Sequence, residues 1–289
     1  MHDAVLVTGA TGFVGRHLVS ALRDRGDRVV TRGSADGDIA RCRLDLDGVS
    51  HVVHLAGKAF VPDSWASPRE FYDVNVLGTV NVLESCGRAQ VPLTYVSSYV
   101  YGRPRCLPIA EDHPLEALNP YSHSKILAEQ AVRYFGSQFG VRATIVRPFN
   151  IYGPGQDERF LVPTIVRQAL DPHSDRITVQ DVRPRRDLLH VRDFVALLIA
   201  TLSRGTGGIY NAGSGRSVAI PDLVAHVNAA VGRVKPLHGV GVERPEEVLD
   251  VVADVSRART ELAWAPRVEL DEGLRDIVAW AHAQPAALR

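Results

Sequence analysis

The chain has 289 residues, 45% hydrophobic and 23% charged, which is typical of a globular protein. Its 33 basic and 33 acidic residues cancel, so charge favours neither a nucleic acid nor a membrane surface as a partner. The longest apolar run, about residues 194–202, is half of a membrane span. Three cysteines without metal-ligand spacing, and no H-E-x-x-H cluster, indicate reduced thiols, no metal and a cytoplasmic protein.

Short β-branched runs alternate with longer helical patterns in the first half of the chain. This order predicts an α/β fold with a parallel sheet covered on both faces. The strand pattern begins by Ala4, which leaves no room for a signal peptide. The predicted strands are residues 4–7, 29–31, 41–44, 52–55, 94–96 and 144–146. The predicted helices are residues 16–25, 70–88 and 121–139.

A cluster of proline and glycine at residues 148–155 interrupts this alternation. We place the boundary between two domains there. Residues 1–150 form the first predicted domain, and residues 151–289 form a smaller lobe from which some chain crosses back. Helices are predicted in this lobe at residues 161–169, 191–202 and 219–231.

Three glycines, Gly9, Gly12 and Gly15, stand at three-residue spacing between the first predicted strand and helix. Such a turn aims free backbone N–H groups and the positive end of the helix dipole at a diphosphate. Gly9 permits the tight turn, Gly12 lets the backbone approach the phosphates, and Gly15 allows close helix–strand packing. The turn predicts a Rossmann-type doubly wound sheet that binds a dinucleotide, with a smaller C-terminal α/β substrate lobe. The same turn contributes three more predicted cofactor contacts: Thr11, Phe13 and Val14.

The end of the second predicted strand bears on the choice of dinucleotide. An acidic residue there usually binds the ribose 2′-hydroxyl group of NAD. In this chain the strand runs into Arg32, Gly33 and Ser34, and the first carboxylate is that of Asp36. Because a guanidinium suits a phosphate group that a carboxylate would repel, Arg32 and Ser34 favour NADP, with NAD as the alternative.

Tyr121 and Lys125 stand four residues apart at the start of a predicted helix. The two side chains lie on one helical face, so the phenol and the ammonium can meet at one site. A free tyrosine has a pKa of about 10, and a lysine cation and an oxidised nicotinamide both lower it. Ser97 and Ser98 follow a predicted strand, at the carboxyl edge where open α/β sheets bind ligands.

A glycine turn, a strand-end serine and Y-x-x-x-K in this order resemble the extended short-chain dehydrogenases, the NAD-dependent epimerase/dehydratase family. The resemblance covers nearly the whole chain. It implies that Tyr121 donates or accepts a proton, that Lys125 tunes it and holds the nicotinamide ribose, and that a serine aligns the sugar oxygen. The family spacing to Tyr101 selects Ser97, but the segment is one residue short, so Ser98 remains an alternative.

The resemblance also implies contacts beyond this catalytic group. The expected cofactor contacts are Asp45 and Leu46 near the adenine, and Leu55, Ala56, Gly57, Asn75 and Pro148. The expected substrate contacts are Ser98, Asn150, Arg186, Arg244 and Glu247, with the arginines on a diphosphate and the acid on the nucleotide ribose. The long helices at residues 70–88 and 121–139 resemble the pair through which family members form homodimers.

In this family the same tyrosine, lysine and nicotinamide cofactor serve three reactions: reduction of a keto-sugar, C4 epimerisation and 4,6-dehydration. Family dehydratases carry Thr-Asp-Glu where this chain has Ser97, Ser98 and Tyr99, and some epimerases carry a cysteine at the Tyr99 position. The stretch at residues 60–65 resembles 4-keto-6-deoxyhexose reductases. We therefore expect reduction of a nucleotide-linked 4-keto-6-deoxyhexose, with a nucleotide-sugar 4-epimerase as the alternative. A non-catalytic dinucleotide sensor is more distant, because sensors typically lose the tyrosine–lysine pair.

Overall fold

Strands and helices alternate along the first part of the chain. The structure, a computed structural model, describes residues 4–204, 207–242 and 247–284. The strands are β1 (Ala4–Thr8), β2 (Val29–Arg32), β3 (Val49–His54), β4 (Leu93–Val96), β5 (Ala143–Pro148), β6 (Asn150–Tyr152), β7 (Ile177–Val179), β8 (Arg185–His190), β9 (Ile209–Ala212), β10 (Ser217–Ala219) and β11 (Leu237–Gly239). The helices are α1 (Phe13–Asp24), α2 (Val61–Ala66), α3 (Pro68–Phe71), α4 (Gly78–Ala89), α5 (Pro120–Phe139), α6 (Leu161–Leu170), α7 (Val191–Arg204), α8 (Ile220–Val231), α9 (Ser256–Leu262) and α10 (Leu270–Ala283).

Six strands form a parallel sheet in the order β2-β1-β3-β4-β5-β9. The chain moves outward from β1 to β2 and then returns to β3 on the other side of β1. This reversal opens a crevice at the carboxyl ends of β1 and β3, where ligands of doubly wound sheets bind. The expectation of a Rossmann-type sheet is confirmed. In the ranges described, no helix combines the length and the apolar character that a membrane span requires.

Local sequence explains the two helices that border the crevice. α1 starts directly after Gly12, and its apolar residues Leu18, Val19 and Leu22 are buried at helical spacing. α5 starts at Pro120, where proline is favoured because its missing N–H is not needed. The side chain of Asn119 caps this helix by accepting a hydrogen bond from Ser122 N at 2.8 Å. The residues of the Y-x-x-x-K motif therefore occupy the first turns of α5.

A smaller layer follows the central sheet. β6 and β8 pair in parallel and β10 joins β8 antiparallel, while α6, α8 and α10 pack around a core that includes Ile165, Leu223 and Leu274. The chain returns to the central sheet when β9 adds to its edge beside β5. α7 packs with α1 on one face of that sheet around Leu197 and Leu198. The carboxyl end of β5 therefore leads directly into the second layer.

The prediction of a strand at residues 41–44 is wrong. These residues form turns, and Leu44 is buried in the core beneath α4. The side-chain amide of Asn81 on α4 donates to the carbonyls of Ile39 and Cys42 at 2.8 and 2.7 Å. Because a side chain occupies these backbone acceptors, the segment does not pair with the edge strand β2. The expected cofactor contacts Leu55, Ala56 and Gly57 consequently follow the third strand of the chain, β3.

The helix predicted at residues 70–88 exists, but its middle is wider than an α-helix. Residues Tyr72–Leu77 form a π-helical segment between α3 and α4, in which Gly78 N donates to Asp73 O. Such segments occur often at functional sites. This one carries Asn75, whose side chain lies in the crevice described below.

Candidate active site

The glycine turn is packed so tightly that two of its positions accept no side chain. Gly9 has a φ of +66°, and a Cβ there would lie 2.7 Å from Ala56 N. A Cβ on Gly15 would lie 2.1 Å from the carbonyl oxygen of Gly9. The turn is therefore pressed against the loop after β3 on one side and against α1 on the other, as close helix–strand packing requires.

The first turn of α1 fits a diphosphate group. Gly12 is extended and precedes the helix, and no side chain within the described ranges caps it. The N–H groups of the first turn, which include those of Phe13 and Val14, have no partner inside the helix. Thr11 is exposed beside them. Open N–H groups at the positive end of a helix dipole are the donors that a dinucleotide diphosphate needs.

The end of β2 lies beside this turn. The carbonyl oxygen of Arg32 accepts a hydrogen bond from Ala10 N at 3.2 Å, and a Cβ on Gly33 would lie 2.8 Å from Thr11 Cγ2. Ser34 begins a short 3₁₀ turn. Asp36 ends that turn, and its carboxylate accepts a hydrogen bond from Gly33 N at 2.7 Å. One guanidinium and one carboxylate thus stand near the position expected for the adenosine ribose.

The remaining expected cofactor contacts lie along the same crevice. Asp45 is exposed and accepts from Asp47 N at 3.1 Å, while the neighbouring Leu46 is buried. The loop after β3 is held by Thr8, whose hydroxyl accepts from Ala56 N at 3.2 Å and whose carbonyl accepts from Leu55 N at 3.3 Å. This loop packs directly against the glycine turn.

Asn75 joins the loop after β3 to α5. Its amide oxygen accepts from Lys58 N at 2.8 Å, and its amide nitrogen donates to Ser124 Oγ at 2.9 Å. A Cβ on Gly57 would lie 3.0 Å from this amide oxygen and 3.7 Å from Lys125 Nζ. Asn75 and Gly57 therefore bring the loop after β3 within contact distance of Lys125, the lysine of the Y-x-x-x-K motif.

The structure brings Ser98, and not Ser97, to the phenol of Tyr121. The Ser98 side chain lies close enough to the Tyr121 phenol to act on its pKa. Ser97 is 2% exposed, and its hydroxyl has no hydrogen-bond partner within the described residues. Its backbone N–H donates to Val146 O at 2.8 Å, which continues the ladder between β4 and β5. Because successive residues of an extended chain face opposite sides, only one of the two serines can face α5.

Lys125 is buried with its ammonium group against the end of β4. Its Nζ donates to Val96 O at 2.8 Å and lies 4.9 Å from the centre of the Tyr95 ring. An ammonium group has three N–H donors, so this bond leaves two for other acceptors. Burial lowers the pKa of Lys125 to about 8, and the negative charge of Glu129 opposes that shift.

Burial raises the pKa of Tyr121 to about 12, while the nearby Ser98 side chain opposes the increase. The expected lowering of this pKa by Lys125 is not seen in the protein alone. At neutral pH the phenol therefore keeps its proton, and the site can donate that proton to an acceptor placed beside Ser98 and Tyr121.

Buried charges hold α5 in place behind the site. Arg147 on β5 is fully buried and forms a bidentate pair with Glu129 on α5, with Nε and Nη2 at 2.9 and 2.7 Å from the two carboxylate oxygens. Its third nitrogen donates to Tyr101 Oη at 3.1 Å. Glu129 was not predicted, although a carboxylate four residues after Lys125 on the same helical face was the available signal.

The expected substrate contacts lie beyond the end of β5. Asn150 donates to Asp187 O at 3.1 Å, and Arg186 forms an ion pair with Glu247 while donating to Val248 O at 2.9 Å. Pro148 ends β5 between these groups and the crevice, and its carbonyl accepts from Tyr99 N at 3.0 Å. The structure therefore joins Asn150, Arg186 and Glu247 in one region. Arg244 lies outside the described residues.

Asp187 fixes the strand that carries Arg186. Its fully buried carboxylate accepts four hydrogen bonds, from Ser214 N and Oγ at 2.6 and 2.7 Å, from Gly215 N at 3.0 Å and from Ala253 N at 2.9 Å. Two separate segments, at residues 214–215 and at Ala253, are thus tied to one side chain of β8. The role of Asp187 was not predicted, because its partners are distant in the sequence.

A family model described as the NAD dependent epimerase/dehydratase family matches residues 5–213, which is most of the chain. The chain belongs to this family. The expected resemblance to extended short-chain dehydrogenases is confirmed. The match extends from β1 through β9, so it includes the whole central sheet and the Y-x-x-x-K helix.

Similar proteins of this family include both epimerases and reductases. The chain is 31% identical to a UDP-glucose 4-epimerase of Azospirillum brasilense, over 96% of the chain and 91% of that protein. It is 29% identical to a GDP-6-deoxy-D-mannose reductase of Pseudomonas aeruginosa, over 96% and 97%. The solved structure of RMD from Pseudomonas aeruginosa complexed with NADPH superimposes with a TM-score of 0.89 at 29% identity, over 98% and 99%. Membership of this family therefore does not distinguish a reductase from an epimerase, and the reaction must be argued from the site.

Proposed function

We propose that this protein reduces the 4-keto group of a nucleotide-linked 6-deoxyhexose, with Tyr121 as the proton donor. The position of the Ser98 side chain beside the protonated Tyr121 phenol, together with the buried Lys125 held by Val96 O, carries this proposal. A carbonyl oxygen placed between these two hydroxyl groups would accept a hydrogen bond from each. In reduction such an oxygen gains negative charge and then a proton, and a protonated phenol serves that step.

The protein's own groups would complete the proton transfer. A bound NADPH would supply the hydride to the carbonyl carbon. The Tyr121 O–H bond breaks as its proton passes to the carbonyl oxygen, and a phenolate remains on Oη. Val96 O accepts a hydrogen bond from Lys125 Nζ in the same site. The ammonium charge of Lys125 favours that phenolate. Its remaining N–H donors suit the ribose hydroxyls of the cofactor.

Two features favour reduction over dehydration. The residues after β4 are Ser97, Ser98 and Tyr99, where family dehydratases carry an acid–base pair of carboxyl groups. The end of β2 carries Arg32 beside the glycine turn, which suits the 2′-phosphate of NADP. A reductase must release its oxidised cofactor in every turnover, and solved relatives bind NADPH in one case and NAD in others.

The region beyond β5 suits a nucleotide diphosphate. Arg186 is about one-seventh exposed and pairs with Glu247, so a diphosphate could replace the carboxylate as its partner while Glu247 turns to a ribose hydroxyl. Asn150 lies between this pair and Tyr99. We include Arg244 among the phosphate ligands on the family pattern alone.

A nucleotide-sugar 4-epimerase is the second candidate. The 31% identity to a UDP-glucose 4-epimerase favours it, and epimerisation uses the same tyrosine, lysine and serine. It differs in keeping the cofactor bound through both hydride transfers, and Asp36 at the end of the β2 turn could hold the ribose of NAD for that purpose.

A homodimer is the expected assembly. α4 and α5 pack side by side, and the surface of this helix pair bears exposed apolar side chains at Leu77, Tyr134 and Phe139, each more than half exposed. Exposed apolar groups of this kind mark contact surfaces. Sedimentation equilibrium of the wild type beside Tyr134→Glu tests this, and a monomeric wild type contradicts it.

The proposed function is tested with nucleotide-linked 4-keto-6-deoxyhexoses and nucleotide hexoses, each offered with NADPH and NADH. We expect oxidation of NADPH with a keto-sugar and a product two mass units heavier, from one added hydride and one proton. Tyr121→Phe should lower kcat by roughly a hundred- to ten-thousandfold and leave NADPH affinity within a few-fold.

The alternatives give different products. Conversion of a nucleotide hexose without net cofactor oxidation identifies the epimerase. Binding of a dinucleotide without turnover of any sugar, or a Tyr121→Phe variant that keeps its activity, contradicts the proposed site.

A further inference from the structure

Tyr99 occupies a shortened turn between the proton donor and the substrate arginine. Val100 N donates to Ser98 O at 2.9 Å, which closes a tight turn centred on Tyr99. Tyr99 N donates to Pro148 O at 3.0 Å, so the backbone at Tyr99 is fixed to the end of β5. This turn accounts for the residue that is missing between the serines and Val100. It sends the Tyr99 side chain towards the region beyond β5.

The ring of Tyr99 is held rigidly. It stacks on the buried ring of Phe149, with centres 5.2 Å apart and planes inclined by 20°. Its hydroxyl donates to Asn150 Oδ1 at 3.4 Å. The amide of Asn150 is oriented by the bond from its nitrogen to Asp187 O, so its oxygen must face the phenol. Donor and acceptor are thus both oriented, but the bond between them is long and therefore weak.

The phenol of Tyr99 lies within electrostatic range of two functional groups. Its charge state affects Tyr121, and the charges of Arg186 and Glu247 affect Tyr99. Burial raises the pKa of Tyr99, so the phenol is a neutral donor at physiological pH. Tyr99 is thus electrostatically coupled to Tyr121 and to Arg186, and its hydroxyl contacts Asn150.

We propose that Tyr99 and Asn150 together bind one hydroxyl group of the substrate's sugar ring. The Tyr99 O–H donates to the sugar oxygen, and the sugar O–H donates to Asn150 Oδ1. The weak bond between the two side chains is exchanged for two bonds to the substrate. The inference rests on the proposed function, because a hexose between a reacting carbon and a diphosphate must cross this position.

This arrangement gives the site a means of selecting its sugar. A substrate without the hydroxyl leaves the Asn150 oxygen and the Tyr99 donor with only their long mutual bond. A site that is built to hydrogen-bond a substrate hydroxyl discriminates strongly against analogues that lack it. Tyr99 is therefore a specificity residue, and proton transfer remains with Tyr121.

The test compares binding of a nucleotide sugar with binding of its nucleoside diphosphate, by calorimetry in the presence of NADP⁺. Tyr99→Phe keeps the ring that stacks on Phe149 and removes only the hydroxyl. We expect the nucleotide sugar to bind two- to tenfold more weakly and the nucleoside diphosphate to bind as before. Arg186→Ala is the matched control and should weaken both ligands. In turnover, Tyr99→Phe should raise KM and change kcat by less than about threefold.

Other results overturn the inference. Equal weakening of both ligands assigns Tyr99 to the diphosphate or to folding, and unchanged binding of both leaves it without a substrate contact. A large fall in kcat at constant KM assigns it to proton transfer. If the wild type binds neither nucleoside diphosphates nor sugar nucleotides, the proposed function itself fails. Thermal unfolding of Tyr99→Phe, expected within a few degrees of the wild type, shows that the variant is folded.

Discussion

The side chain of Ser98 interacts with the phenol of Tyr121, while the adjacent hydroxyl of Ser97 is buried without a partner among the residues described. Ser97 still belongs to the backbone ladder with β5, and the tight turn at Tyr99 begins only after Ser98. The missing residue of this segment is therefore lost after the second serine. The family spacing counted back from Tyr101 selects the first serine because it assumes a turn of full length.

Ser98→Ala and Ser97→Ala form a matched pair that tests this assignment. Removal of one donor to a developing oxyanion lowers kcat by roughly a hundredfold or more, which we expect for Ser98→Ala. Ser97→Ala removes a hydroxyl that has no partner, so activity should stay within about threefold and stability should be unchanged or slightly higher. Steady-state kinetics and urea unfolding measure both. The reverse order of activities would return the catalytic role to Ser97.

Arg32→Ala and Asp36→Asn separate the two cofactors. If Arg32 binds the 2′-phosphate, its removal should weaken NADPH by roughly ten- to a hundredfold and leave NADH almost unchanged, since a charged hydrogen bond contributes about 1.5–3 kcal/mol. Asp36→Asn should improve NADPH binding, because a carboxylate near a phosphate is repulsive. Titration of nicotinamide fluorescence gives the six dissociation constants of the wild type and the two variants for NADPH and NADH. Preference of the wild type for NADH, abolished by Asp36→Asn, would point to the epimerase.

Arg186→Ala should raise KM for a nucleotide sugar by roughly ten- to a hundredfold, because a charge-assisted hydrogen bond contributes about 1.5–3 kcal/mol. The diphosphate is remote from the reacting carbon, so kcat should change little. Arg185→Ala is the control, since the neighbouring side chain faces the other side of β8 and bonds to Ser217 Oγ at 3.1 Å. Equal effects of the two substitutions would make Arg186 a structural residue.

His54 should make the protein sensitive to acid. It is buried between Thr8 Oγ1 at 2.7 Å and Thr79 Oγ1 at 3.2 Å, and burial lowers its pKa to about 3 from 6.5. Below pH 6.5 His54 is protonated in the unfolded chain but stays neutral in the folded protein. The free energy of unfolding therefore falls as the pH is lowered to about 3. Protonation of His54 in the unfolded chain should lower the free energy of unfolding by about 2 kcal/mol between pH 7 and pH 5.

The measurement is urea unfolding at both pH values for the wild type and His54→Asn. The variant is expected to be less stable at pH 7 but to lose less stability on acidification. His173→Asn changes an exposed histidine and should leave the pH dependence as in the wild type. An identical acid slope in His54→Asn would show that His51 and His190, whose pKa values burial lowers to about 4, account for the effect.

Local sequence was sufficient for the elements that carry the cofactor. The glycine spacing after a fully apolar strand predicts the turn at Gly9, because only a residue without Cβ fits against Ala56. The four-residue spacing of Tyr121 and Lys125 predicts their common helical face, and Asn119 with Pro120 marks the start of that helix. These features depend on neighbours in the chain, so they are readable without the fold.

Tertiary structure decided the groups whose partners are distant in the chain. The burial that raises the Tyr121 pKa, the pair of Arg147 with Glu129, and the position of Tyr99 near Arg186 all depend on which segments the folded sheet brings together. The absent strand at residues 41–44 has the same origin, since Asn81 on α4 donates to the backbone carbonyls of Ile39 and Cys42. The sequence alone determined the family, the glycine turn and the common helical face of Tyr121 and Lys125. Only the fold placed Ser98 at the phenol, because a single residue lost from a turn changes which side chain faces the site without changing the motif around it.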